Sequence, residues 1–393
     1  MKILQINVVC GVKSTGRITT DIATLAEQKG HECKVAYGRE EVPAILQKYA
    51  VKIGTPFSVR MHALRARLFD GAGLGSKRAT KKFVQWIREY DPDVIHLHNV
   101  HGYYLHLPTL FAYLKQTDKK VVWTLHDCWA FTGHCSHFEL CGCDRWKERC
   151  NNCPQKNEYP KSYIDRSKRN YAWKKQTFTG VKDMTLVTPS KWLADLVGQS
   201  FLNGYPVKVI PNGIDLSKFH PTVSDLREEY GLQDKKIVLG VASSWGEKKG
   251  LQDCYRLSQL LDENYQVVLI GLTDEQKNAV PKSVFALSAT NSAEILAKWY
   301  TAADVFVNCT YEDTFSMVNL EAQACGCPVL TYATGGAVET VPLENTVKKG
   351  DVAALAARIP QVLENSVCLS KDDLDKENDY QRYLQLYALG ERK

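Results

Sequence analysis

Two acidic residues in the stretch 304–336 have the type and spacing needed to bind one extended ligand. The pattern predicts a strand, a helix that begins near Thr314, and a second strand after Pro328. Asp313 and Glu321 are eight positions apart, which is ~12 Å along a helix axis. That separation suits the two ends of one extended ligand and is too long for two carboxylates that share a proton.

This stretch resembles the E-x7-E signature of retaining GT-B glycosyltransferases, and of glycosyltransferase family 4 in particular. The run PNGIDLSKFHP, residues 211–221, is similar to the segment that joins the two domains in that family. The resemblance implies that the first carboxylate lies beside the donor sugar and that Glu321 holds the ribose hydroxyls of a sugar nucleotide. The first position is Asp313 instead of the commoner Glu. Because Glu312 precedes it, either carboxylate is a candidate for the sugar contact.

The resemblance also implies a phosphate-binding loop in SSWGEKKG, residues 243–250. Lys249 and Gly250 match the lysine and glycine of the family's R-x-x-x-x-K motif. Ser244 stands at the arginine position, and Lys248 is a candidate replacement. One charged hydrogen bond to a diphosphate oxygen contributes ~1.5–3 kcal/mol, so the missing arginine matters.

A glycine loop, GVKSTGR at residues 11–17, lies between a predicted strand and a helix predicted over 18–29. Loops at the carboxyl ends of parallel strands bind ligands in α/β proteins. This one is not a G-x-G-x-x-G fingerprint, and a plain tight turn is the alternative. In the resembled family the loop lines the acceptor side and approaches the donor phosphates. The implied donor site comprises Gly11, Gly16, Lys248, Lys249, Thr290, Glu312, Asp313, Thr314, Phe315, Ser316, Met317, Val318 and Glu321, with Asn291 beside Thr290.

Histidines follow two further predicted strands, residues 93–98 and 121–125. A lone histidine is usually structural, but a cluster at neighbouring strand ends favours a functional site. The resemblance implies that His126 lies near the transferred sugar and donates a hydrogen bond to a sugar hydroxyl. The catalytic candidates are therefore His126, Lys249 and Asp313, and the acceptor-side candidates are Ser14, His98, Asn99, His101 and Asp127.

A cysteine-rich insertion occupies residues 128–154. Four thiolates suit a closed, tetrahedral zinc site that stabilises structure and leaves no open catalytic position. The predicted ligands are Cys135, Cys143, Cys150 and Cys153, with Cys141, His134 and His137 as substitutes. Free thiols and disulfides are the alternatives, the latter disfavoured in a reducing compartment.

Length and composition indicate a globular protein. The 393 residues are enough for two α/β domains, and the hydrophobic and charged fractions of 44% and 24% are ordinary. The predicted domains are 1–215, which includes the insertion, and 216–370, followed by a C-terminal helix in 371–393 that crosses back to the first domain. The N-terminus lacks a signal-peptide layout, and no apolar run reaches ~18 residues. We therefore expect a cytoplasmic protein.

The formal charge of +6 is mild and indicates no nucleic-acid partner. A basic stretch, residues 57–90, predicts an amphipathic helix with Phe83, Trp86 and Ile87 on one face. A solvated basic face is the commoner explanation for such a run. The alternative is peripheral contact with the anionic headgroups of the inner membrane surface.

Together these motifs predict an α/β protein of GT-B architecture, with two Rossmann-like domains facing a cleft. The predicted reaction moves a sugar from a UDP- or GDP-sugar to a glycan or polyprenyl-diphosphate-linked acceptor, with retention at the anomeric carbon. The resemblance implies a setting in capsule, O-antigen or exopolysaccharide biosynthesis. No D-x-D pair is placed to hold a metal at the phosphates, so no catalytic metal is expected. The alternatives are a nucleotide-sugar epimerase on the same fold and a degenerate sugar-nucleotide-binding protein.

Overall fold

The structure is a computed structural model that describes residues 1–290 and 292–388. The chain divides into two compact units. The first is Met1–Pro211 together with the chain from Asp379, and the second is Asn212–Asn378. Each unit is built on one parallel sheet within the described residues.

The sheet of the first unit has the order β3-β2-β1-β4-β5-β6-β7, and all its strand pairs are parallel. Its strands are β1 Lys2–Asn7, β2 Glu32–Tyr37, β3 Ala50–Lys52, β4 Val94–Leu97, β5 Lys120–Thr124, β6 Met184–Thr188 and β7 Val207–Val209. The direction of strand addition reverses between β1 and β4. In doubly wound sheets, ligands bind beyond the carboxyl ends of the strands at such a reversal.

Helices cover both faces of this sheet. They are α1 Lys13–Gln28, α2 Pro56–Phe69, α3 Lys77–Tyr90, α4 Leu107–Leu114, α5 Ser167–Phe178 and α6 Lys191–Gly198. Successive side chains of β1 enter opposite cores, because strand side chains alternate between faces. Ile3 lies in one apolar cluster and Leu4 in the other.

The second unit repeats this winding in the order β10-β9-β8-β11-β12-β13, again with parallel pairs. Its strands are β8 Lys236–Val241, β9 Tyr265–Leu272, β10 Val284–Ser288, β11 Val305–Asn308, β12 Val329–Tyr332 and β13 Thr346–Val347. Its helices are α7 Leu226–Glu229, α8 Leu251–Leu260, α9 Asp274–Ala279, α10 Ala293–Ala302, α11 Met317–Ala324, α12 Val352–Glu364 and α13 Lys371–Leu374. The reversal here falls between β8 and β11.

The last helix, α14 Lys376–Ala388, begins in the second unit and belongs to the first from Asp379 onward. Tyr380, Tyr383 and Tyr387 lie in an apolar cluster of the first unit. The hydroxyl of Tyr387 is 2.6 Å from Nδ1 of the buried His96. The α/β fold class with two Rossmann-like domains is therefore confirmed.

Two local predictions were wrong. Helix α1 begins at Lys13 instead of residue 18, so Ser14 and Gly16 lie in its first turn and not in a loop. Helix α11 begins at Met317, and Thr314 does not cap it. The basic stretch forms two helices, and Phe83 of α3 is buried in the core. No helix within residues 1–290 and 292–388 combines the length and apolar composition needed to cross a bilayer.

Candidate functional site

The loops that follow β8 and β11 meet at the reversal point of the second sheet. A short 3-10 turn, Glu247–Lys249, follows β8. The carbonyl oxygen of Lys248 accepts hydrogen bonds from the N–H of Tyr311 at 2.8 Å and from the hydroxyl of Thr310 at 3.3 Å. Gly250 has φ +67°, and a Cβ there would lie 2.2 Å from the carbonyl oxygen of Cys309. Glycine is therefore required for the two loops to approach this closely.

Two lysines of the first loop pair with two carboxylates of the second. Lys249 Nζ lies 2.9 Å from Asp313 Oδ2, and Lys248 Nζ lies 3.2 Å from Glu312 Oε2. Asp313 also accepts hydrogen bonds from the hydroxyl of Ser316 at 2.8 Å and from the N–H of Phe315 at 3.2 Å. The structure thus brings together the predicted phosphate and sugar contacts.

The two neighbouring carboxylates differ in exposure. The side chain of Glu312 is 2% exposed and that of Asp313 is 15% exposed. Burial acts to raise the pKa of Asp313, but the charge and hydrogen bond of Lys249 outweigh it, so the pKa is lowered. Asp313 is therefore an ionised carboxylate at neutral pH that keeps some exposure to solvent.

Seven further predicted donor residues lie in the second unit. Glu321 lies on α11, and its carboxylate accepts a hydrogen bond from Tyr300 at 3.0 Å. Thr314, Phe315 and Ser316 are buried ahead of α11, and Met317 and Val318 form its half-buried start. Thr290 follows β10, and β9 lies between β10 and β8 in the sheet. The hydroxyl of Thr290 accepts a hydrogen bond from the N–H of Ser292 at 3.1 Å. Asn291 lies outside the described residues.

A second cluster forms in the first unit, beyond the carboxyl ends of β4 and β5. The predicted acceptor-side residues His98, Asn99, His101 and Asp127 line one small cavity with His126. His101 lies 2.8 Å from Asp127 and 3.0 Å from the hydroxyl of Tyr159. Burial acts to raise the pKa of Asp127, but the adjacent His101 ring lowers that pKa to about 2.

Gln5 sets the tautomers of two stacked histidines. Its Nε2 donates to the carbonyl of Thr19 at 2.7 Å, which turns Oε1 toward Nε2 of His98 at 3.0 Å. Because this amide oxygen can only accept, Nε2 of His98 must carry the proton and donate it to Gln5. The other ring nitrogen of His98, Nδ1, therefore accepts a hydrogen bond from Nε2–H of His126 at 3.1 Å. Burial lowers the pKa of His126 to about 4, so the ring is neutral. Its other nitrogen, Nδ1, is consequently a hydrogen-bond acceptor, the reverse of the predicted donor role.

The glycine loop lies in the same unit. Gly11 has φ +72°, its N–H donates to the carbonyl of Gly16 at 3.0 Å, and a Cβ there would lie 2.4 Å from Cδ1 of Leu46. Gly16 is buried and Ser14 is exposed in the first turn of α1. Only Gly11 of this set lies in a loop.

The insertion gathers its cysteines as free thiols. A hydrogen bond from Cys135 lowers the pKa of Cys153, and Cys150 accepts the N–H of Gly133 at 3.1 Å. Lys174 is buried beside them, and it donates to the carbonyls of Trp129 and Thr132 at 2.7 and 3.0 Å. In the part of the chain that the structure describes, no three His, Cys, Asp or Glu side chains are arranged to hold a metal ion. Zinc at Cys135, Cys143, Cys150 and Cys153 stays a prediction.

Sequence reasoning missed four residues that support these clusters. Gln5 could have been found, because a polar residue in an apolar strand at the reversal point signals a buried hydrogen bond. Tyr159, Tyr300 and Lys174 carry no such signal, since each belongs to a segment whose composition is unremarkable. Burial lowers the pKa of Lys174 to about 7, far from the solvated lysine that its basic segment suggests.

Two family profiles together match most of the chain. The profile described as Glycosyltransferase Family 4 matches residues 15–218, and Glycosyl transferases group 1 matches residues 223–382. The putative colanic acid biosynthesis glycosyl transferase WcaC of Escherichia coli K12 is 29% identical over 354 residues, which cover 87% of this chain and 85% of that protein. The capsular polysaccharide biosynthesis glycosyltransferase CapM of Staphylococcus aureus is 29% identical over 39% of this chain and 44% of its own length.

Solved structures share the fold over almost the full length. Sucrose-phosphate synthase from Thermosynechococcus elongatus superposes with a TM-score of 0.70 at 17% identity and covers 99% of this chain and 98% of its own. Anabaena HepE in complex with UDP-glucose superposes with a TM-score of 0.66 at 16% identity and covers 99% of this chain and 100% of its own. At these identities the likeness demonstrates the GT-B fold alone.

Proposed function

The chain belongs to glycosyltransferase family 4, and from that premise we propose that it transfers a sugar from a nucleotide-sugar donor to an acceptor hydroxyl with retention at the anomeric carbon. The observation that carries the proposal is the pairing of Lys248 and Lys249 with Glu312 and Asp313 at the β8–β11 reversal. This pairing supports a diphosphate contact at the lysines beside a sugar contact at a carboxylate.

The second unit holds the donor in this proposal. The diphosphate replaces the carboxylates as the partner of the two lysines, whose side chains are about one-third exposed. Asp313 takes the sugar contact because it is more exposed than Glu312, whose carboxylate is buried. Glu321, positioned by Tyr300, receives the ribose hydroxyls. The Anabaena neighbour was solved with UDP-glucose, which favours a UDP-sugar over a GDP-sugar here.

The chemical step needs charge stabilisation more than proton transfer from the protein. The bond between the anomeric carbon and the diphosphate oxygen breaks, and a bond to the acceptor oxygen forms on the same face. The acceptor proton passes to the leaving diphosphate. Lys249 stabilises the negative charge that grows on that leaving group, an interaction that strengthens in the transition state. In the first unit, we assign Nδ1 of His126 as the hydrogen-bond acceptor for a sugar hydroxyl.

The relatives that build colanic acid and capsular polysaccharide favour a role in cell-surface polysaccharide biosynthesis. We propose that the acceptor is a glycan carried on a polyprenyl diphosphate. Such a substrate keeps its lipid in the bilayer, so the enzyme works in the cytoplasm at the inner membrane surface. The zinc prediction for the insertion is a separate structural proposal and supplies no step.

A thermal-shift screen against a panel of UDP-, GDP- and ADP-sugars tests donor binding. We expect sugar nucleotides of one base to raise the melting temperature of the wild-type protein. The Glu321→Ala variant should lose that shift. The donor that binds is then incubated with and without a lipid-linked oligosaccharide. Nucleoside diphosphate released only with acceptor supports transfer, while isomerised donor without acceptor supports an epimerase. If no sugar nucleotide stabilises the folded protein, a degenerate site replaces our proposal.

A further inference from the structure

The outer face of α2 carries an apolar stripe that the fold leaves uncovered. Phe57 is 72% exposed, and Met61, Leu64 and Leu68 are between 40 and 49% exposed. Their spacing of four, three and four residues places them on one side of a helix with ~3.6 residues per turn. The opposite side of α2 is anchored by His62 and Ala66, which are buried. The four side chains of the stripe are therefore not packed in the hydrophobic core.

Arginines border this stripe on both flanks. Arg60 and Arg67 lie on one side of it and Arg65 on the other, as the helical period dictates. The sequence of α2, PFSVRMHALRARLF, contains no acidic residue. A helix with an apolar centre and cationic borders matches the layering of a bilayer surface, where acyl chains lie beneath anionic phosphates.

The neighbouring segment extends the same surface. Tyr163 is exposed, and its N–H donates to the carbonyl of Arg67 at 2.9 Å. Beyond it, Arg166 and Arg169 line a cavity together with Arg65 and Phe69. The guanidinium of Arg166 lies 5.8 Å from the centre of the Phe69 ring. Three arginines therefore line one cavity together with the exposed Phe69 at the end of the stripe.

The carboxylates near this cavity are already engaged. Asp70 contacts His134 at 2.7 Å and accepts the N–H of Arg166 at 2.8 Å. Asp165 accepts the N–H groups of Cys153 and Ser167 at 2.7 and 2.8 Å. Asp70 lines the cavity and offsets one of the charges of Arg65, Arg166 and Arg169, so the lining keeps a net positive charge toward an external anion.

We propose that α2 and residues 162–169 form a docking surface for a bilayer that contains anionic phospholipids. The stripe inserts among the acyl chains at the interface, and the arginine-lined cavity takes a lipid phosphate. A second copy of the chain fits less well, because pairing two such faces brings arginines against arginines. This relocates the membrane contact predicted for α3, whose Phe83 is buried. Such docking would bring the protein to the bilayer that holds a lipid-linked acceptor. Membrane binding itself does not depend on glycosyl transfer.

Vesicle sedimentation tests the surface independently of glycosyl transfer. The full chain is mixed with phosphatidylcholine vesicles, with or without phosphatidylglycerol, at low and high salt. We expect binding to the anionic vesicles at low salt and release at high salt, since exposed charges are screened over ~10 Å at 0.1 M salt. Replacing Phe57, Met61, Leu64 and Leu68 with serine or glutamine should weaken binding at least ~10-fold, from the apolar area lost.

Matched variants separate the surface from general effects. Val223→Ser with Leu343→Ser removes two exposed apolar side chains of the second unit and should leave binding unchanged. Arg65→Gln with Arg166→Gln should lower binding to anionic vesicles only. Folding is checked by melting temperature, which exposed substitutions should barely change. The proposal fails if wild type ignores anionic vesicles at low salt, or if the stripe variant instead dissolves a dimer of the wild-type chain.

Discussion

Removing the amino group of Lys249 tests the central interaction of the proposed donor site. In the ligand-free structure Lys249 Nζ is 2.9 Å from Asp313 Oδ2 and 3.4 Å from the hydroxyl of Thr310. The lysine is partly exposed, and pairs of that kind contribute ~0–1 kcal/mol to stability. Lys249→Ala should therefore fold normally, so a large effect on turnover reports on the site and not on global stability.

The expected magnitude follows from the charged hydrogen bond to the leaving diphosphate. Such a bond contributes ~1.5–3 kcal/mol, and each ~1.36 kcal/mol of barrier is a factor of ten in rate. Lys249→Ala should lower kcat about 10- to 150-fold, with little change in the KM for acceptor. The acid limb of activity should also move to higher pH, because Lys249 lowers the pKa of Asp313 and its loss raises that pKa.

The assay measures nucleoside diphosphate released from the stabilising donor in the presence of acceptor. Lys277→Ala is the matched control, since this lysine of the same unit pairs with Asp274 at 2.7 Å on the exposed helix α9. It should retain wild-type turnover. A folded Lys249→Ala variant whose kcat stays within twofold of wild type would refute the leaving-group role. A rise in acceptor KM alone would refute it equally.

Three further predictions address the other clusters. Glu321→Ala should raise the donor KM about tenfold by removing the ribose contact, with acceptor KM unchanged; an unaltered donor KM in a folded variant contradicts that assignment. His126 should appear as the neutral Nε2–H tautomer in NMR of the 15N-histidine-labelled protein at pH 7. The variant His98→Leu should give a mixture of the two His126 tautomers, because it removes the acceptor for Nε2–H. A dominant Nδ1–H form in the wild-type protein would rule out the hydrogen-bond chain from Gln5 through His98 to His126. Metal analysis should find about one zinc per chain. The zinc should be lost in Cys150→Ser and Cys153→Ser but retained in the control variant Cys254→Ser. A purified protein that is fully stable without metal would refute the zinc prediction.

Most of the strand framework could be predicted from the sequence. Strands buried on both faces of a parallel sheet are nearly continuous apolar runs, so β1, β4, β5, β8, β11 and β12 are visible within one or two residues of their ends. Two short strands, β3 and β13, escaped detection, because three and two residues carry too little pattern. The start of α1 was misplaced by the polar, glycine-containing run that forms its first turn.

Amphipathic pattern reveals an apolar face but not what covers it. The pattern of α3 suggested a free surface, yet Phe83 and Ile87 are buried in the core. The helix with the exposed stripe is α2, whose other side also has buried residues, so its composition shows no single apolar face. Which face meets solvent depends on the neighbouring elements, and this depends on the complete fold.

The sequence by itself determined which residues are candidates for the site. Lys249, Asp313, Glu321 and His126 were identifiable because their motifs are local and lie at strand ends, where parallel sheets present their ligand groups. Tertiary structure alone decided which partners these groups contact. Lys249 and Asp313 are 64 residues apart and His98 and Gln5 are 93 apart, and only folding brings them within hydrogen-bond distance. The charge state of Asp313 and the acceptor nitrogen of His126 follow from those contacts, because pKa and tautomer respond to burial and to the nearest partner.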